Sequence, residues 1–180
     1  MYEAEIIRKF ESMPVFSLGD VNQIINNRIY AKKFLKRMLD EGKIYKIRKN
    51  IYTLHKDPLL VSTFLVKPSY VSSASALAYH KRIMQIPSEV FCATMKNRKS
   101  IRFTEVINFT HTNYLFGFEF VDYEGFKIPM ATPEKAIIDS FSSIPIAIFE
   151  EAFEDINEER IVEYLKKIKG ENIKLIGDFP

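Results

Sequence analysis

Residues 16–52 read FSLGDVNQIINNRIYAKKFLKRMLDEGKIYKIRKNIY and carry the most regular pattern in the chain. Ser17 is a residue type that caps helices, and the apolar residues after it predict a short helix from Leu18 to Ile25. Beyond the break at Asn26-Asn27, apolar side chains recur with helical spacing as far as about Glu41. The buried stripe of this longer helix is predicted to be Ala31, Phe34, Leu35, Met38 and Leu39.

A hairpin is predicted directly after this helix. Gly42 supplies the left-handed residue at which a helix commonly ends. Lys43 to Ile47 and Ile51 to Leu54 then alternate in the manner of strands around Arg48-Lys49-Asn50. Asparagine tolerates the positive φ that such a turn requires.

An additional helix is predicted before this region, from Tyr2 to Met13, with Pro14 ending it. The resulting order of three helices and a hairpin is typical of a winged helix-turn-helix. We therefore predict a winged helix-turn-helix domain over residues 1–56 and a second domain over residues 57–180.

The second domain is predicted to be a mixed α+β unit. Leu59 to Val66 favours a short helix, Ser72 or Ser73 is expected to cap another, and Thr132-Pro133-Glu134 has strong helix-start chemistry. Four β-like runs lie between them: Val90 to Thr94, Val106 to Thr110, Phe118 to Tyr123 and Phe126 to Met130. The rest is predicted to be helical, with Phe149, Ala152, Phe153 and Ile156 on one stripe and Ile161, Val162, Leu165 and Ile168 on another.

Charge is unevenly distributed along the chain, although the net charge is only +3. Residues 1–56 hold 12 basic and 6 acidic residues, so this part carries +6 and the remainder −3. Residues 26–49 alone hold nine basic and two acidic residues, a local excess of seven positive charges. Such an asymmetry indicates a basic module that binds a polyanion, joined to a near-neutral module with another task.

The cations of residues 26–49 define a candidate DNA-binding site on the third helix and the hairpin. Basic residues on an outer helix face are often simply solvated, but the strong local excess favours DNA. In a helix-turn-helix the start of the recognition helix meets base edges, and its later turns meet phosphates. The predicted contacts are Asn26, Asn27, Arg28, Tyr30, Lys32, Lys33, Lys36 and Arg37 on the helix, and Arg48, Lys49 and Asn50 on the hairpin.

No other residues form a persuasive catalytic or metal-binding pattern. His55, His80 and His111 are far apart in sequence without a second ligand at zinc spacing, and Cys92 lies in an apolar run that favours a buried thiol. Asp122, Glu124 and Lys127 have the wrong spacing for a restriction-type nuclease. We therefore predict no catalytic residue, no metal and no cofactor, and a protein that is not an enzyme.

Lys96-Asn97-Arg98-Lys99-Ser100-Ile101-Arg102 forms a basic turn whose role stays open. It is either a solvated hairpin tip or a second contact with nucleic acid or an acidic partner. The single cysteine gives no sign of an oxidising compartment, and the chain begins with acidic residues and has no membrane-length apolar run. A cytoplasmic location is therefore expected, with no membrane contact.

Three segments together resemble a known family. They are the hairpin from Gly42 to Tyr52, the run from Tyr70 to Leu77 followed by His80, and the run from Ala131 to Asp139. In order and spacing they resemble AbiEi-type antitoxins, which are predicted transcriptional regulators of viral defence systems. Arg48 and Tyr52 match the wing of that family, whereas Asn50 and Lys81 stand where the family commonly has glycine.

The resemblance implies a winged-helix domain that binds inverted repeats in its own promoter. It also implies a second domain that acts as antitoxin to a nucleotidyltransferase-like toxin encoded beside it. Three functions stay open at this point: a DNA-binding autorepressor, a protein-interaction antitoxin for which DNA binding is incidental, and, last, a nuclease or other enzyme. The predicted partners are double-stranded promoter DNA and a cognate toxin, with the chain bound as a homodimer or as paired monomers.

Overall fold

A computed structural model describes residues 2–141, 151–153 and 156–171 of the chain. These residues contain seven helices and nine strands, which confirms the α+β class. The helices are α1 (Tyr2–Glu11), α2 (Leu18–Ile25), α3 (Arg28–Asp40), α4 (Pro58–Leu65), α5 (Ser73–Tyr79), α6 (Pro133–Ser140) and α7 (Glu158–Glu171). The strands are β1 (Phe16–Ser17), β2 (Tyr45–Arg48), β3 (Ile51–Thr53), β4 (Ser69–Val71), β5 (Glu89–Thr94), β6 (Ile101–Arg102), β7 (Val106–His111), β8 (Phe118–Tyr123) and β9 (Phe126–Ala131).

The first three helices pack together with a small antiparallel sheet of order β1-β3-β2. The predicted stripe of α3 is buried at Ala31, Phe34, Leu35 and Met38, whereas Leu39 is half-buried. These side chains share one core with residues of α1, α2 and β3. Strand β1 was not predicted, because two residues are too few to show any alternation; it pairs Phe16 with Tyr52.

Local chemistry fixes the ends of α2 and the start of α3. Ser17 and Asp20 form a reciprocal capping box at the start of α2, as the hydroxyl predicted. Asn26 ends α2 in the left-handed conformation with a φ of 52°. Asn27 then caps α3, since its side chain accepts a hydrogen bond from the Tyr30 N–H at 3.0 Å. The turn between the two helices therefore consists of the two asparagines alone.

The second part of the chain is built on a six-stranded mixed sheet of order β6-β7-β5-β4-β9-β8. Strands β4 and β9 pair in parallel, as do β5 and β7, and the other neighbours are antiparallel. The four predicted strands are present within a residue at each end, but β4 and β6 were missed because they are only three and two residues long. The buried side chains of β4, β5, β7 and β9 form a second core with α4, α5 and α6.

Two helix starts in this part differ in their chemistry. Thr132 caps α6 as predicted, because its hydroxyl accepts from the Lys135 N–H. Ser72 precedes α5, but its side chain makes no capping bond. Its hydroxyl donates instead to Asp139 Oδ2 at 2.6 Å, so the capping role predicted for Ser72 was wrong. Long-range partners of this kind leave no local pattern in the sequence.

A buried ion pair joins α6 to the sheet. Lys135 exposes only 1% of its side chain, and its ammonium is bonded to Asp139 one helical turn later. Asp139 also accepts hydrogen bonds from the hydroxyls of Tyr70, at 2.9 Å, and Ser72. The ammonium lies over the rings of Tyr70 and Phe116. Burial and the neighbouring carboxylate raise the pKa of the Tyr70 phenol, which therefore stays protonated and donates.

The carboxyl-terminal stripes were predicted less well. On α7, Tyr164 is buried and Ile161 and Ile168 of the predicted stripe are half-buried, whereas Val162 and Leu165 are about half exposed. The predicted stripe was therefore wrong at Val162 and Leu165, because the helix turns its tyrosine toward Phe116 and Thr132. In the preceding segment Ala152 is buried and Phe153 is partly exposed, and Phe149 lies outside the described residues. None of the helices in the described ranges is long and apolar enough to cross a membrane.

The two parts of the chain are packed against each other through the hairpin and the segment after it. Ile47 of β2 is buried in the core of the second part, not in that of the first. The Arg48 guanidinium donates to the Leu65 carbonyl at the end of α4, at 3.1 Å. Beyond β3, His55 packs edge-on against Phe126 and Asp57 accepts from the Tyr123 hydroxyl at 2.7 Å. The predicted boundary near residue 57 is therefore a contact region and not a free linker.

Replacing Asp139 with Asn should strongly destabilise the protein. The substitution leaves the buried Lys135 ammonium without a countercharge, a change that typically costs about 3–5 kcal/mol. The matched control is Asp122→Asn, because the Asp122–Lys127 pair is an exposed ion pair and such pairs contribute only about 0–1 kcal/mol. Urea unfolding of both variants gives the comparison, and equal losses would contradict the structural role of the buried pair.

His55 should make stability depend on pH. Burial lowers the pKa of its imidazole, although Asp57 acts in the opposite direction, and its Nε2 is buried without a hydrogen-bond partner among the described residues. The folded state therefore favours the neutral ring. The contribution of the neutral His55 ring to the free energy of unfolding is complete above the unfolded pKa of about 6.5. This contribution is lost as the pH falls below that value.

The measurement compares wild type with His55→Gln in urea at about pH 7.5 and about pH 5.5, on either side of the ordinary histidine pKa. Subtracting the free energy of unfolding of the variant from that of the wild type cancels the titration of the carboxylates that both proteins share. The stability advantage of the wild type over the variant should shrink at the lower pH. An advantage of equal size at both pH values would show that His55 does not titrate on unfolding.

Candidate nucleic-acid interface

The outer face of α3 consists of Arg28, Ile29, Tyr30, Lys32, Lys33, Lys36 and Arg37, all exposed. This face exists because the opposite one is buried: with 3.6 residues per turn, the stripe from Ala31 to Met38 leaves these positions in solvent. Ile29 is 71% exposed and Tyr30 is 47% exposed, which is high for large apolar and aromatic side chains. Because Ile29 and Tyr30 lie among cations, this face offers apolar contact area as well as positive charge.

The ion pairs that described acidic residues form with this face lie at its carboxyl-terminal end. Glu3 of α1 forms ion pairs with Arg37, at 2.9 Å, and with Lys43. Glu41 pairs with the same two cations. Hydrogen bonding to Lys43 is the main reason that the pKa of Glu3 is lowered, so this carboxylate stays ionised. Arg37 is therefore already partnered, which makes it a weaker phosphate ligand than its position in the sequence predicted.

The remaining cations of the first part are free of such partners. Within residues 2–141, 151–153 and 156–171, no ion pair involves the side chains of Arg28, Lys32, Lys33, Lys36, Lys46, Arg48 or Lys49. Four of these seven lie on the first two and a half turns of α3. The excess of positive charge seen in the sequence is therefore present as unneutralised side chains.

The two asparagines at the start of α3 are used differently. Asn27 commits its side-chain oxygen to the cap of the helix, so only its amide NH₂ is left to contact another molecule. Asn26 occupies the left-handed position before it with an exposed side chain. Of the two, Asn26 is the better placed to donate and accept together.

The hairpin turn holds three predicted contact residues, and they differ in whether they are bonded inside the protein. Lys49 and Asn50 are exposed at the turn, and Asn50 has a φ of 61°, as expected for asparagine in a left-handed position. Arg48 is exposed on its outer side but donates to the Leu65 carbonyl. The hydrogen bond fixes the direction of this guanidinium, whereas Lys49 keeps its full freedom.

The weaker candidates in the second part do not come together as a reactive site. Cys92 is buried, and burial raises the pKa of its thiol to about 12, so the thiolate needed for nucleophilic attack is suppressed. His80 bonds the Ala131 carbonyl through Nε2 at 2.8 Å and so ties α5 to β9. In the part of the chain that the structure describes, no three His, Cys, Asp or Glu side chains are grouped closely enough to hold a metal ion.

The structure also reveals a contact that reasoning from the sequence missed. Strand β6, which ends the basic turn (residues 96–102), lies next to β2 of the hairpin. An open groove of about 350 Å³ lies beside this contact, lined by Arg48, Val66 and residues 97–101. The only signal in the sequence was the charge of the turn itself, because its proximity to Arg48 depends on the packing of the whole sheet.

Comparison with known proteins does not identify the chain. No protein-family model matches it, and no curated protein matches it.

Proposed function

We propose that this protein is a DNA-binding transcriptional regulator, an autorepressor of the AbiEi-like type, whose first part acts as a winged helix-turn-helix. In this proposal α3 is the recognition helix and the β2–β3 hairpin is the wing. The observation that carries the proposal is the outer face of α3, where Arg28, Lys32, Lys33 and Lys36 are exposed and form no ion pair with any acidic residue that the structure describes.

Electrostatics supports a duplex as the ligand. Each cation that neutralises a phosphate releases a condensed counterion, and this release supplies much of the affinity for DNA. The seven cations without ion pairs on α3 and the hairpin offer enough charge for about six phosphate contacts, for which the logarithm of affinity should fall with that of salt at a slope of about −5. Glu3 and Glu41 reduce the charge only at the far end of α3, beyond the residues proposed to meet bases.

The start of α3 supplies the groups that read bases. An arginine or lysine donates to guanine, an asparagine pairs with adenine, and an apolar side chain contacts the thymine methyl group. Arg28, Asn26 and Ile29 have these chemistries within the first turn of α3 and the turn that precedes it. Tyr30 lies in the same first turn, Lys33 lies one turn further, and Lys36 is assigned to phosphate. We propose no catalytic step, and a cytoplasmic location follows from the proposed role on promoter DNA.

A protein-interaction role for the second part is the alternative, and one surface favours it. Phe120 on the edge strand β8 is 66% exposed. It lies in an open groove of about 470 Å³ with Phe64, Phe118, Pro68 and Pro129. Exposed aromatic residues beside a free strand edge are typical of protein contacts. This surface is compatible with an antitoxin domain in the same chain that binds DNA.

Reversing two charges on α3 should abolish DNA binding. Lys33→Glu with Lys36→Glu replaces two proposed contacts by repulsive groups, and affinity should fall by about 100-fold or more. The matched control is Lys166→Glu with Lys169→Glu, which has the same spacing on the exposed side of α7. Fluorescence anisotropy would use a labelled duplex of about 30 base pairs, roughly three helical turns, from the DNA upstream of the coding sequence, and a second duplex of unrelated sequence.

The wild type and the control should bind the upstream duplex with the steep salt dependence given above. An autorepressor should also prefer the upstream duplex to the unrelated one by about a thousandfold or more. If both double variants bind equally well while remaining folded by circular dichroism, α3 is not the recognition helix. If the wild type binds neither duplex, the proposed function is wrong.

Co-expression tests the antitoxin alternative separately. The adjacent open reading frame should arrest growth when expressed alone and should be harmless when this chain is present. Phe120→Ser should remove the protection, because it takes away the most exposed aromatic group of β8, whereas Lys33→Glu with Lys36→Glu should keep it. A neighbour that is harmless alone would exclude the antitoxin role.

A further inference from the structure

The basic turn is highly charged and extends from the second part of the chain. Residues 96–102 contain four basic side chains, Lys96, Arg98, Lys99 and Arg102, and no acidic one. Residues 96–100 are all exposed. Among the described residues none of these four cations forms an ion pair. The turn connects β5 to β6, which are not neighbours in the sheet, so the hairpin tip allowed by the sequence was wrong and the segment is a crossover connection. A surface loop that serves only for solubility commonly mixes both signs of charge, so this turn has the composition of a polyanion contact.

The fold holds this turn against the hairpin of the first part. Ile47 of β2 is buried in the second core, and Ile101 of β6 packs against that same core. Arg48 is fixed by its hydrogen bond to the Leu65 carbonyl. Ile47 and Ile101 therefore attach β2 and the end of the basic turn to one common core.

The groove combines these charges on one surface. Arg48, Arg98 and Lys99 line it together, with Asn97 and Ser100 as further hydrogen-bonding groups. None of the described residues that line it is acidic. Guanidinium and ammonium groups with small polar side chains match the oxygens of a phosphodiester backbone. Because Arg48 also belongs to the proposed wing, the groove is continuous with the DNA interface inferred above.

We propose that the basic turn is a second DNA contact, in which Arg98 and Lys99 bind the phosphodiester backbone beyond the wing of the same duplex. The inference rests on the proposed function, because it takes the hairpin as the wing. In this proposal the second part of the chain holds the wing in place through Ile47 and Arg48. It also adds phosphate contacts next to those of the wing. Contacts of this kind add affinity and fix orientation without reading sequence.

Arg98→Gln with Lys99→Gln tests the proposal in the full-length chain. The upstream and unrelated duplexes defined above serve as probes, and binding is measured by anisotropy over a range of salt concentrations. Losing two phosphate contacts should reduce the steepness of the salt dependence by about 2 and weaken both complexes about tenfold or more at about 0.15 M salt. The ratio of the two affinities should not change, because a backbone contact carries no base information.

Lys166→Gln with Lys169→Gln is the matched control, since it removes two charges outside the groove. This control should bind as the wild type does, and urea unfolding should show all three proteins equally stable. If Arg98→Gln with Lys99→Gln binds both duplexes like the wild type, the inference is overturned while the proposed function stands. A variant that keeps its DNA affinity but loses binding to polyglutamate would assign the groove to an acidic polypeptide instead. Wild-type protein that binds neither duplex would overturn both.

Discussion

The burial of one face of α3 is the constraint on which the first part of the molecule depends. Ala31, Phe34, Leu35 and Met38 fill the core between α1, α2 and β3, and burial of large apolar side chains stabilises a fold by about 1.5–3 kcal/mol each. Turning this stripe inward forces the intervening lysines and the arginine outward. The stability of the domain and the display of its positive charge are therefore consequences of a single amphipathic pattern.

The hairpin connects the part of the chain that carries the exposed basic face of α3 to the rest of the protein. A two-stranded ribbon is only marginally stable by itself in water. Here β1 pairs with one side of it, and Ile47 and Arg48 attach it to the second part. A hairpin held in this way would lose less conformational freedom on binding DNA as proposed, so less of the binding energy would be spent on ordering it. The second part is in this sense a structural support for the first, whatever other role it has.

Local chemistry could be predicted from the sequence, and long-range pairing could not. The limits of α2, the cap at Ser17, the stop at Gly42 and the left-handed Asn50 all follow from interactions within four residues of each other. By contrast, β1, β4 and β6 are too short to show a period. Strands β1 and β4 also depend on pairing with strands that are distant in the sequence. Asp139 gave no signal as the partner of Tyr70 and Ser72, which lie more than 65 residues away.

The candidate site shows a similar limit: the sequence gives the residue types, but it does not show which side chains are already bonded inside the protein. The predicted contact residues are exposed in the structure, but Asn27, Arg37 and Arg48 are each engaged inside the protein, by a helix cap, by Glu3 and by the Leu65 carbonyl. A group already satisfied must give up one interaction to gain another, so its net contribution to binding is small. Within the part of the chain that the structure describes, Arg28, Lys32, Lys33, Lys36 and Lys49 have no ion-pair partner, so on binding DNA as proposed they would give up only water. In the proposed complex these cations would therefore contribute more to the affinity than the engaged residues do.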